Sequence, residues 1–345
     1  MSYHGLALFS GGLDSILAIR LLQEQGLKIL GIHFISPFFG EVTKVPFWEK
    51  EYNLEVKPVD ISESYLQLLL KGPEHGFGKV LNPCVDCKIL MLKTVKSLLP
   101  KYGARFIVSG DVLGQRPMSQ RKDALFLIAK KAEVSNILLR PLTALNLPPT
   151  DVERSGLVQR EQLLALKGRG RKAQLQLAQK IGLDKIPSPA GGCLLTDKAM
   201  GARYAFLISR AEQISSRDFW LSRWGRQFWC KDKWLIIGRN YEENNKILAL
   251  KSKDDVVLTI KSLPGPVALA RKGITWEKNL LESAADFLLL FAPKVKQQPT
   301  QCFEVMAQSN KQKMLFKAEL KDRSVFPWQE PIWDKRTCLI KSDRY

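Results

Sequence analysis

The stretch Ser10-Gly11-Gly12-Leu13-Asp14-Ser15 decides the fold class of this chain. It stands between a short apolar run, Gly5–Phe9, and a segment with apolar residues at helical spacing, Ile16–Gln25. An apolar strand, a glycine-containing turn and a helix in this order predict the first βα unit of a parallel sheet. A second apolar run at Lys28–Ile35 supplies the next strand, because parallel neighbours need a crossover connection. We therefore expect an α/β fold.

The same stretch predicts an anion-binding loop. Paired glycines let backbone N–H groups approach an anion closely, and the N-terminus of the following helix adds its positive end. The hydroxyls of Ser10 and Ser15 can donate to phosphate oxygens, and Asp14 can hold Mg²⁺ or cap the helix. The pattern is neither G-x-x-x-x-G-K-[ST] nor G-x-G-x-x-G, so it indicates neither a Walker-type NTPase nor a Rossmann dinucleotide site.

Composition and charge narrow the class of protein. Hydrophobic residues make up 45% of the 345 residues and charged residues 25%, which is ordinary globular composition and excludes a disordered or fibrous chain. The net charge is +19, yet residues 1–100 hold equal numbers of basic and acidic side chains, so the whole excess falls on residues 101–345. This asymmetry suggests a small-molecule site joined to a surface that binds nucleic acid. No stretch approaches the ~18 apolar residues of a membrane span, so we expect a cytoplasmic protein with no membrane partner.

Two of the six cysteines form a C-x-x-C motif within the run NPCVDCK. Asn82 is a good N-cap and Pro83 suits the first helical position, so we expect Cys84 and Cys87 in the first turn of a helix. The helix N-terminus and the neighbouring Lys88 would lower the thiol pKa. Two thiols one turn apart match a redox or metal-binding pair.

A third candidate thiol, Cys193, ends the run PAGGC. Its flanking glycines suit a backbone that must approach a ligand closely. The sequence alone does not show whether Cys193 meets the C-x-x-C pair in the folded chain.

The motif S-G-G-L-D-S resembles the pyrophosphate-binding loop of the PP-loop ATP pyrophosphatase superfamily, which has the adenine-nucleotide α-hydrolase-like (HUP) fold. The resemblance implies a parallel sheet of that type, binding of ATP with Mg²⁺, and adenylation of an acceptor oxygen with release of pyrophosphate. Asp14 would be the Mg²⁺ ligand. The residues that it implies for ATP binding in this loop are Ser10, Gly11, Gly12, Asp14 and Ser15.

The order of the later motifs is similar to that of bacterial tRNA 2-thiouridine synthases over roughly residues 5–200. After the loop come the C-x-x-C, then V-S-G-D at residues 108–111, K-D at residues 122–123 and the late cysteine. The resemblance implies that Cys87 and Cys193 serve sulfur transfer, with Cys84 where members have Asp or Cys. Related thiolases with three such cysteines hold a [4Fe-4S] cluster with one open iron, and these three thiols would supply that set.

The resemblance also suggests residues for the rest of the nucleotide site. The stretch Gly31–Phe34 would lie against the adenine, which makes His33 and Phe34 candidates, together with Gly110 and Asp111. The chain departs from those synthases in having S-G-D where they carry T-G-H, and in the run GQRPMSQ at residues 114–120, which they lack. The modified base therefore stays open.

From about Phe219 the sequence has aromatic, strand-like segments, among them Lys246–Leu250, followed by one amphipathic helix at about Trp276–Phe291. This pattern indicates a smaller C-terminal α+β domain, in which basic residues are interleaved with tryptophans. The run G-R-N at residues 238–240, with E-N at 243–244 and L-P-G-P at 263–266, resembles the NFACT-R type of RNA-binding domain over about residues 215–295. Cations beside aromatic faces suit backbone phosphates and unstacked bases. The candidate RNA contacts along the whole chain are Lys122, Arg169, Arg171, Lys172, Arg223, Arg226 and Arg239.

We expect four segments: a PP-loop domain at 1–145, a basic central region with the third cysteine at 146–210, an NFACT-R-like domain at 211–295, and an unassigned extension at 296–345. The predicted function is ATP-dependent thiolation of tRNA or another RNA, with a cysteine desulfurase or sulfur carrier as sulfur donor. The sulfur would be carried as a cysteine persulfide or as cluster-bound sulfide. Two alternatives stay open: a PP-loop ligase or amidotransferase without sulfur chemistry, and a non-catalytic RNA-binding protein with an ATP switch.

Overall fold

The structure, a computed structural model, describes residues 2–187, 192–211, 213–261, 263–298 and 302–334. The chain forms two compact units, Met1–Thr196 and Asp197–Tyr345, where the sequence suggests four segments. The predicted loop residues 189–191, which precede Gly192 and Cys193, lie outside the described residues. No helix in the described ranges is long and apolar enough to cross a membrane.

The first unit is built on a five-stranded parallel sheet with the strand order β3-β2-β1-β4-β5. This confirms the predicted α/β class. Its helices and strands are, in chain order, β1 (Gly5–Leu8), α1 (Leu13–Gln23), β2 (Ile29–Ile35), α2 (Val45–Tyr52), β3 (Glu55–Asp60), α3 (Ser62–Lys71), α4 (Cys84–Tyr102), β4 (Phe106–Ser109), α5 (Lys122–Lys131), β5 (Leu138–Leu139), α6 (Asp151–Arg154) and α7 (Lys172–Lys180).

The sheet places its two central strands where a ligand site is expected. Every residue of β1 and β4 is buried, and these strands pair with one another in parallel register, Leu8 opposite Ser109. The chain runs outward from β1 through β2 to β3 and then returns to the other side of β1 with β4. Such a reversal leaves a crevice at the carboxyl ends of the strands, where open α/β sheets bind their ligands. The S-G-G-L-D-S loop follows β1, and Gly110 and Asp111 follow β4.

The second unit contains a six-stranded antiparallel sheet with the order β11-β10-β8-β9-β7-β6. This confirms the predicted α+β character. Its helices and strands are α8 (Lys198–Arg210), α9 (Ser216–Leu221), β6 (Arg226–Cys230), β7 (Lys233–Ile237), α10 (Tyr241–Ala249), β8 (Val256–Ile260), β9 (Ala268–Ala270), α11 (Lys278–Leu289), β10 (Phe303–Gln308) and β11 (Lys313–Ala318).

Two features of this unit differ from the local sequence pattern. The segment Lys246–Leu250 has the pattern of a strand, but most of it belongs to α10, which starts where the side chain of Asn240 accepts the Glu243 N–H. The tail beyond residue 295 supplies β10, which pairs with β8 with Val305 opposite Ile260. The predicted boundary at 295/296 therefore separates strands that share one sheet, because pairing between distant strands leaves no local sequence signal.

Candidate active site and RNA-binding surface

The S-G-G-L-D-S loop has the tight backbone that an anion site requires. Gly11 has a φ of +75°, and a Cβ built there would come within 2.3 Å of the Trp48 ring, so only glycine fits. The Ser15 hydroxyl donates to the Gly12 carbonyl at 2.7 Å, and the Ser10 hydroxyl accepts the Gly12 N–H at 3.4 Å. These contacts fix both hydroxyls beside the first turn of α1, where the helix dipole favours a negative ligand.

Asp14 is held at the start of α1 with one oxygen unused. Its Oδ2 accepts the Gln115 side-chain N–H at 3.0 Å. Its Oδ1 is buried and has no hydrogen-bond partner among the described residues. Buried carboxylate oxygens are rarely left unpaired, so this oxygen fits the place of a Mg²⁺ ligand that the sequence suggests for Asp14.

Gly110 and Asp111 lie beside this loop in different roles. A Cβ on Gly110 would stand 2.6 Å from the Asp14 carbonyl oxygen, so this position must be glycine for the two segments to pack. Asp111 is buried. Its Oδ1 accepts from Lys88 at 3.1 Å and from Gln120 at 2.9 Å, and its Oδ2 accepts the Ser109 hydroxyl at 2.7 Å. Asp111 therefore links the end of β4 to Lys88 of α4 and to Gln120.

The carboxyl group of Asp111 is ionised in spite of its burial. Burial raises its pKa, but the charges of Lys88 and Arg140 outweigh that effect, and the hydrogen bonds from Gln120 and Ser109 act in the same direction. The net pKa lies well below the usual value. Because Lys88 follows Cys87 in α4, this ion pair joins the C-x-x-C helix to the end of β4.

His33 and Phe34 do not present free side chains to a nucleotide. The His33 Nδ1 lies 3.0 Å from the Phe9 carbonyl oxygen, and its Nε2 accepts the Glu41 N–H at 2.9 Å. Burial lowers the pKa of His33, so the ring is neutral and both nitrogens are used inside the protein. Phe34 is buried. That the stretch Gly31–Phe34 lies against the adenine stays a prediction.

The fold brings the third cysteine to the C-x-x-C motif. The Leu194 N–H donates to the Phe38 carbonyl at 2.9 Å, and the Leu81 N–H donates to the Leu195 carbonyl at 3.1 Å. The first hydrogen bond fastens the segment after Cys193 to the chain just after β2, and the second fastens it to the chain just before α4. The electrostatic interactions of Cys193 with Cys87 and Cys84 show that the three thiols are neighbours.

The start of α4 differs slightly from the sequence prediction. The helix begins at Cys84, so Pro83 rather than Asn82 is the residue that precedes it. The Asn82 side chain donates to the Cys84 sulfur at 3.2 Å instead of capping the helix. The first turn still carries both cysteines, as predicted.

The thiols are less acidic than the sequence suggests. Burial raises the pKa of Cys87 to about 11 and that of Cys193 to about 12, and the neighbouring sulfurs add to the effect. Lys88 lowers the pKa of Cys87, but its ammonium group is paired with Asp111. For Cys87 the prediction of a lowered thiol pKa is therefore wrong, because burial raises its pKa more than the charge of Lys88 lowers it.

Tyr65 is a member of this site that the sequence does not reveal. It is fully buried on α3, packed against the rings of Phe38 and Phe39 at centroid distances of 5.1 and 5.3 Å. Its hydroxyl has no oxygen or nitrogen partner among the described residues, and it interacts with the Cys87 thiol. Burial and the three cysteine sulfurs raise its pKa well above the usual value. In sequence, its spacing on an amphipathic helix predicts only a core position.

The three thiols fit an iron–sulfur cluster in donor type and surroundings. Iron would compensate the charge of thiolates that burial disfavours, and clusters are held by cysteine thiolates. Within the described ranges, no three His, Cys, Asp or Glu side chains form a group that could hold a metal ion. A cluster extends over several irons, so its ligands stand farther apart than those around a single ion.

In the second unit, cations lie over partly exposed indole rings. The Arg223 guanidinium stands 5.0 Å from the centre of the Trp220 ring and 5.5 Å from that of Trp224. The Lys246 ammonium, which comes from α10, also lies 5.5 Å from the Trp224 ring centre. Trp220 and Trp224 are half-buried. We call these four side chains the Trp224 cluster. It offers partly exposed indole rings and positive charge to solvent together.

The remaining tryptophans of this region serve the core. Trp229 and Trp234 are 2% and 3% exposed and stack on each other with an interplanar angle of 4°. Arg226 lies over the Phe291 ring at 5.1 Å. Arg239 is tied to Glu243 through several hydrogen bonds, the shortest 2.6 Å, although its side chain is still 48% exposed. The G-R-N motif therefore stabilises the N-terminus of α10, where Asn240 is the N-cap and Arg239 pairs with Glu243.

The basic residues predicted in the first unit lie at its surface. Lys122, Arg169 and Lys172 are exposed, and Arg171 is half-buried. Their exposure fits either phosphate contact or simple solvation.

Each of the two units contains a match to a known family. Residues 1–147 match the family described as thiamine biosynthesis protein (ThiI), and residues 225–328 match the NFACT protein RNA binding domain. The recognition of a PP-loop module followed by an NFACT-type module is thereby confirmed. The second match continues past residue 295 through β10 and β11, in agreement with the single sheet.

Curated relatives match part of this chain. The probable tRNA sulfurtransferase of Thermococcus kodakarensis is 29% identical over 150 residues, which are 41% of this chain and 37% of that protein. That of Lysinibacillus sphaericus is 28% identical over 145 residues, 40% of this chain and 34% of the relative. The tRNA-specific 2-thiouridylase MnmA of Nitratidesulfovibrio vulgaris is 30% identical over 87 residues, 24% and 25% of the two chains. The chain thus spans between a quarter and little more than a third of the length of these relatives.

Among solved structures, the U34-tRNA thiolase NcsA from Methanococcus maripaludis with its [4Fe-4S] cluster covers 56% of this chain and 63% of its own. Its sequence identity is 17% and the TM-score is 0.29. A similarity this low supports no inference about function.

Proposed function

We propose that this chain is an enzyme that thiolates a base of tRNA in an ATP-dependent reaction. The observation that carries the proposal is the convergence, in one unit, of a phosphate-binding loop at the switch point of the sheet with three neighbouring thiols. The Lys88–Asp111 pair joins these two parts. The printed names of the relatives, tRNA sulfurtransferase and tRNA-specific 2-thiouridylase, support the class of reaction.

The first step would be activation of the base. Its carbonyl oxygen attacks the α-phosphorus of ATP, the bond from that phosphorus to the bridging oxygen breaks, and pyrophosphate leaves. The hydroxyls of Ser10 and Ser15 and the N–H groups of the loop would bind the phosphates. Asp14 would hold Mg²⁺, which neutralises phosphate charge when it is bound. The base then carries AMP, a far better leaving group than its original oxygen.

The second step would be sulfur transfer. The terminal sulfur of a persulfide on Cys87 or Cys193 attacks the activated carbon, and AMP leaves. The other thiol then attacks the sulfur of the persulfide cysteine, the S–S bond to the transferred sulfur breaks, and the base keeps that sulfur. The two cysteines are left as a disulfide. A dithiol reductant restores them, and a cysteine desulfurase or sulfur carrier reloads the persulfide.

Cys84, Cys87 and Cys193 would also be the ligands of a [4Fe-4S] cluster, which when bound would supply sulfide in place of the persulfide. Anaerobic purification with iron and sulfide assays decides between the two sulfur sources. About four irons per chain in the wild type, lost in Cys193→Ala, would establish the cluster. Iron-free protein after anaerobic reconstitution would leave the persulfide route.

The proposal is tested by measuring both products at once. Unmodified tRNA is incubated with ATP, Mg²⁺, a sulfur donor and a dithiol, and pyrophosphate and thiolated nucleosides are quantified by enzymatic assay and mass spectrometry. We expect Cys87→Ser and Cys193→Ser to keep RNA-dependent pyrophosphate release while thiolated product falls to background. Cys230→Ser, a half-buried cysteine of β6, is the matched control and should behave as the wild type.

Three results would contradict the proposal. Full thiolation by the Cys87→Ser/Cys193→Ser double variant would remove the sulfur-transfer role. Pyrophosphate release without any thiolated product in the wild type would point to a ligase or amidotransferase, and RNA binding without pyrophosphate release would point to an ATP-switched binding protein.

A further inference from the structure

The segment Gly114–Gln120 lies between β4 and α5 and is pinned at both ends. The Gly114 N–H donates to the Gln120 carbonyl at 2.7 Å, and Gly114 has a φ of +77°, which closes the segment into a tight loop. The Gln120 side chain donates to Asp111 at 2.9 Å. Next to the loop, the Gly168 N–H donates to the Leu113 carbonyl at 2.7 Å. The loop is therefore fixed to the carboxyl end of β4.

The middle of the loop approaches both parts of the active site. The Gln115 side chain donates to Asp14 Oδ2 at 3.0 Å across 101 positions of sequence. On the other side, the Met118 sulfur accepts from the Asn82 amide, which also donates to Cys84. Thus one short loop contacts Asp14 of the S-G-G-L-D-S loop and Asn82, which is hydrogen-bonded to Cys84.

The contact between Gln115 and Asp14 leaves two oxygens without a partner. Asp14 Oδ1 and Gln115 Oε1 are both buried, and neither has a hydrogen-bond partner among the described residues. A buried polar atom without a partner is unfavourable, so a pair of them on adjoining side chains points to a ligand that the two share. A carboxylate oxygen and an amide oxygen are ligands that a hard divalent cation prefers.

We propose that Gln115 is a positioning residue of the nucleotide site, which orients Asp14 through its N–H and turns its own carbonyl oxygen towards the divalent cation that accompanies ATP. The amide suits both tasks, because its nitrogen pairs with the carboxylate while its oxygen stays free. A carboxylate in this place would stand against Asp14 with like charge unless a cation lay between them. The inference rests on the proposed function only in assuming that the loop binds ATP.

The test compares Gln115→Ala and Gln115→Glu with the wild type, in the absence of RNA so that no turnover is needed. ATP affinity is measured by calorimetry with Mg²⁺ and again with EDTA, and Mg²⁺ affinity without nucleotide is measured from the shift in melting temperature. The control is Gln162→Glu, a substitution at an exposed glutamine. Circular dichroism and the melting temperature in EDTA check that each variant is folded.

For Gln115→Ala we expect Mg·ATP to bind about tenfold more weakly, because a hydrogen bond to a charged group is removed. ATP in EDTA should bind as it does to the wild type. For Gln115→Glu we expect Mg²⁺ alone to bind more tightly and to raise the melting temperature by more than in the wild type, since two carboxylates then face one cation. The control variant should leave both constants unchanged.

Three results would overturn the inference. One is an unchanged Mg²⁺ dependence in both variants. The second is equal weakening of ATP binding by Gln115→Ala with and without Mg²⁺, and the third is a Gln115→Glu variant that does not unfold in EDTA and gains no Mg²⁺ affinity. If the wild type binds Mg·ATP and the variants give any of these three results, the inference about Gln115 fails and the proposed function is unaffected. A wild type that binds no ATP would remove both.

Discussion

At the scale of single residues, Asp111 carries the connection between the nucleotide loop and the thiols. It is buried against the cations of Lys88 and Arg140, whose nearest nitrogens lie 3.1 and 3.8 Å from its oxygens. Removing one charge of a buried group leaves its partners without compensation. Such a removal commonly lowers the free energy of unfolding by about 3–5 kcal/mol. This loss is far larger than the contribution of the intact pair to stability.

We therefore predict that Asp111→Asn lowers the free energy of unfolding by about 3 kcal/mol at pH 7. Because the pKa of Asp111 is lowered by folding, its stabilisation is fully present above the unfolded value of 3.8 and is lost progressively as the pH falls below that value towards the lower pKa of the folded state. The difference between variant and wild type should accordingly shrink below about pH 4. Urea unfolding at several pH values measures it.

Asp123→Asn is the matched control for this prediction. Asp123 pairs with Arg121 at 3.0 Å, but both side chains are about two-thirds exposed, at 68% and 67%. Exposed pairs contribute about 0–1 kcal/mol, so this variant should unfold almost as the wild type does. Equal effects of the two substitutions would contradict the role given to Asp111.

A second prediction concerns Tyr65. Tyr65→Phe removes only the hydroxyl, so the packing with Phe38 and Phe39 is retained. The interaction with Tyr65 lowers the pKa of Cys87, so its removal should raise that pKa further and slow alkylation of Cys87 at pH 8. Mass-spectrometric labelling rates with iodoacetamide measure this, with Cys230 as the internal control. Unchanged labelling of Cys87 would show that the hydroxyl does not act on it.

At the scale of helices and strands, the tail of the chain gives a clear test. Strands β10 and β11 bring Phe303, Val305 and Phe316 into the same core as α11 and β8. A chain ending at residue 295 would expose that core, and we predict that it is insoluble or lacks a cooperative melting transition. A chain ending at residue 334 retains every described helix and strand and should melt as the full chain does. Equal melting of both would contradict the single sheet.

Much of this organisation could be predicted from the sequence, and the exceptions share a cause. The βα unit around Gly11 and Gly12 is a local pattern, since the apolar strand, the tight turn and the helix are contiguous in the chain. The approach of Cys193 to Cys87 depends instead on hydrogen bonds to Phe38 and Leu81, which lie more than 100 residues earlier. The hydrogen bond between Gln115 and Asp14 likewise joins residues that are 101 positions apart in the sequence. Local spacing carries no signal for contacts of this range.

The pKa of the thiols could not be predicted for a related reason. The start of α4 and Lys88 are visible in the sequence and both favour the thiolate. Burial reverses the outcome for Cys87 and raises its pKa. Desolvation follows from tertiary structure, so only the smaller of the two effects is visible in the sequence.

At the scale of the whole molecule, the excess positive charge should act through RNA phosphates. Removing one cation that contacts a phosphate lowers the slope of log affinity against log salt by about 0.7 for a single strand. We predict that Arg223→Ala weakens RNA binding and reduces this slope by about that amount. Trp224→Leu should weaken binding with the slope unchanged, because stacking on a base releases no counterion.

Lys278→Ala is the control for charge in general. Lys278 is 77% exposed on α11 and pairs with Glu282, so its removal should leave RNA affinity close to that of the wild type. Fluorescence anisotropy with a labelled tRNA at several salt concentrations measures all three variants. Equal effects of Arg223→Ala and Lys278→Ala would show that net charge, rather than the Trp224 cluster, binds the RNA.

The central claim is that sulfur held at the buried cysteines passes to tRNA only after ATP has activated the base. A single-turnover experiment tests it most directly: the protein is loaded with radiolabelled sulfur, freed of excess donor, and mixed with tRNA with or without Mg·ATP. The account predicts that label moves from protein to a nucleoside of the tRNA only when Mg·ATP is present. Label that stays on the protein, or that reaches the tRNA without ATP, would contradict it.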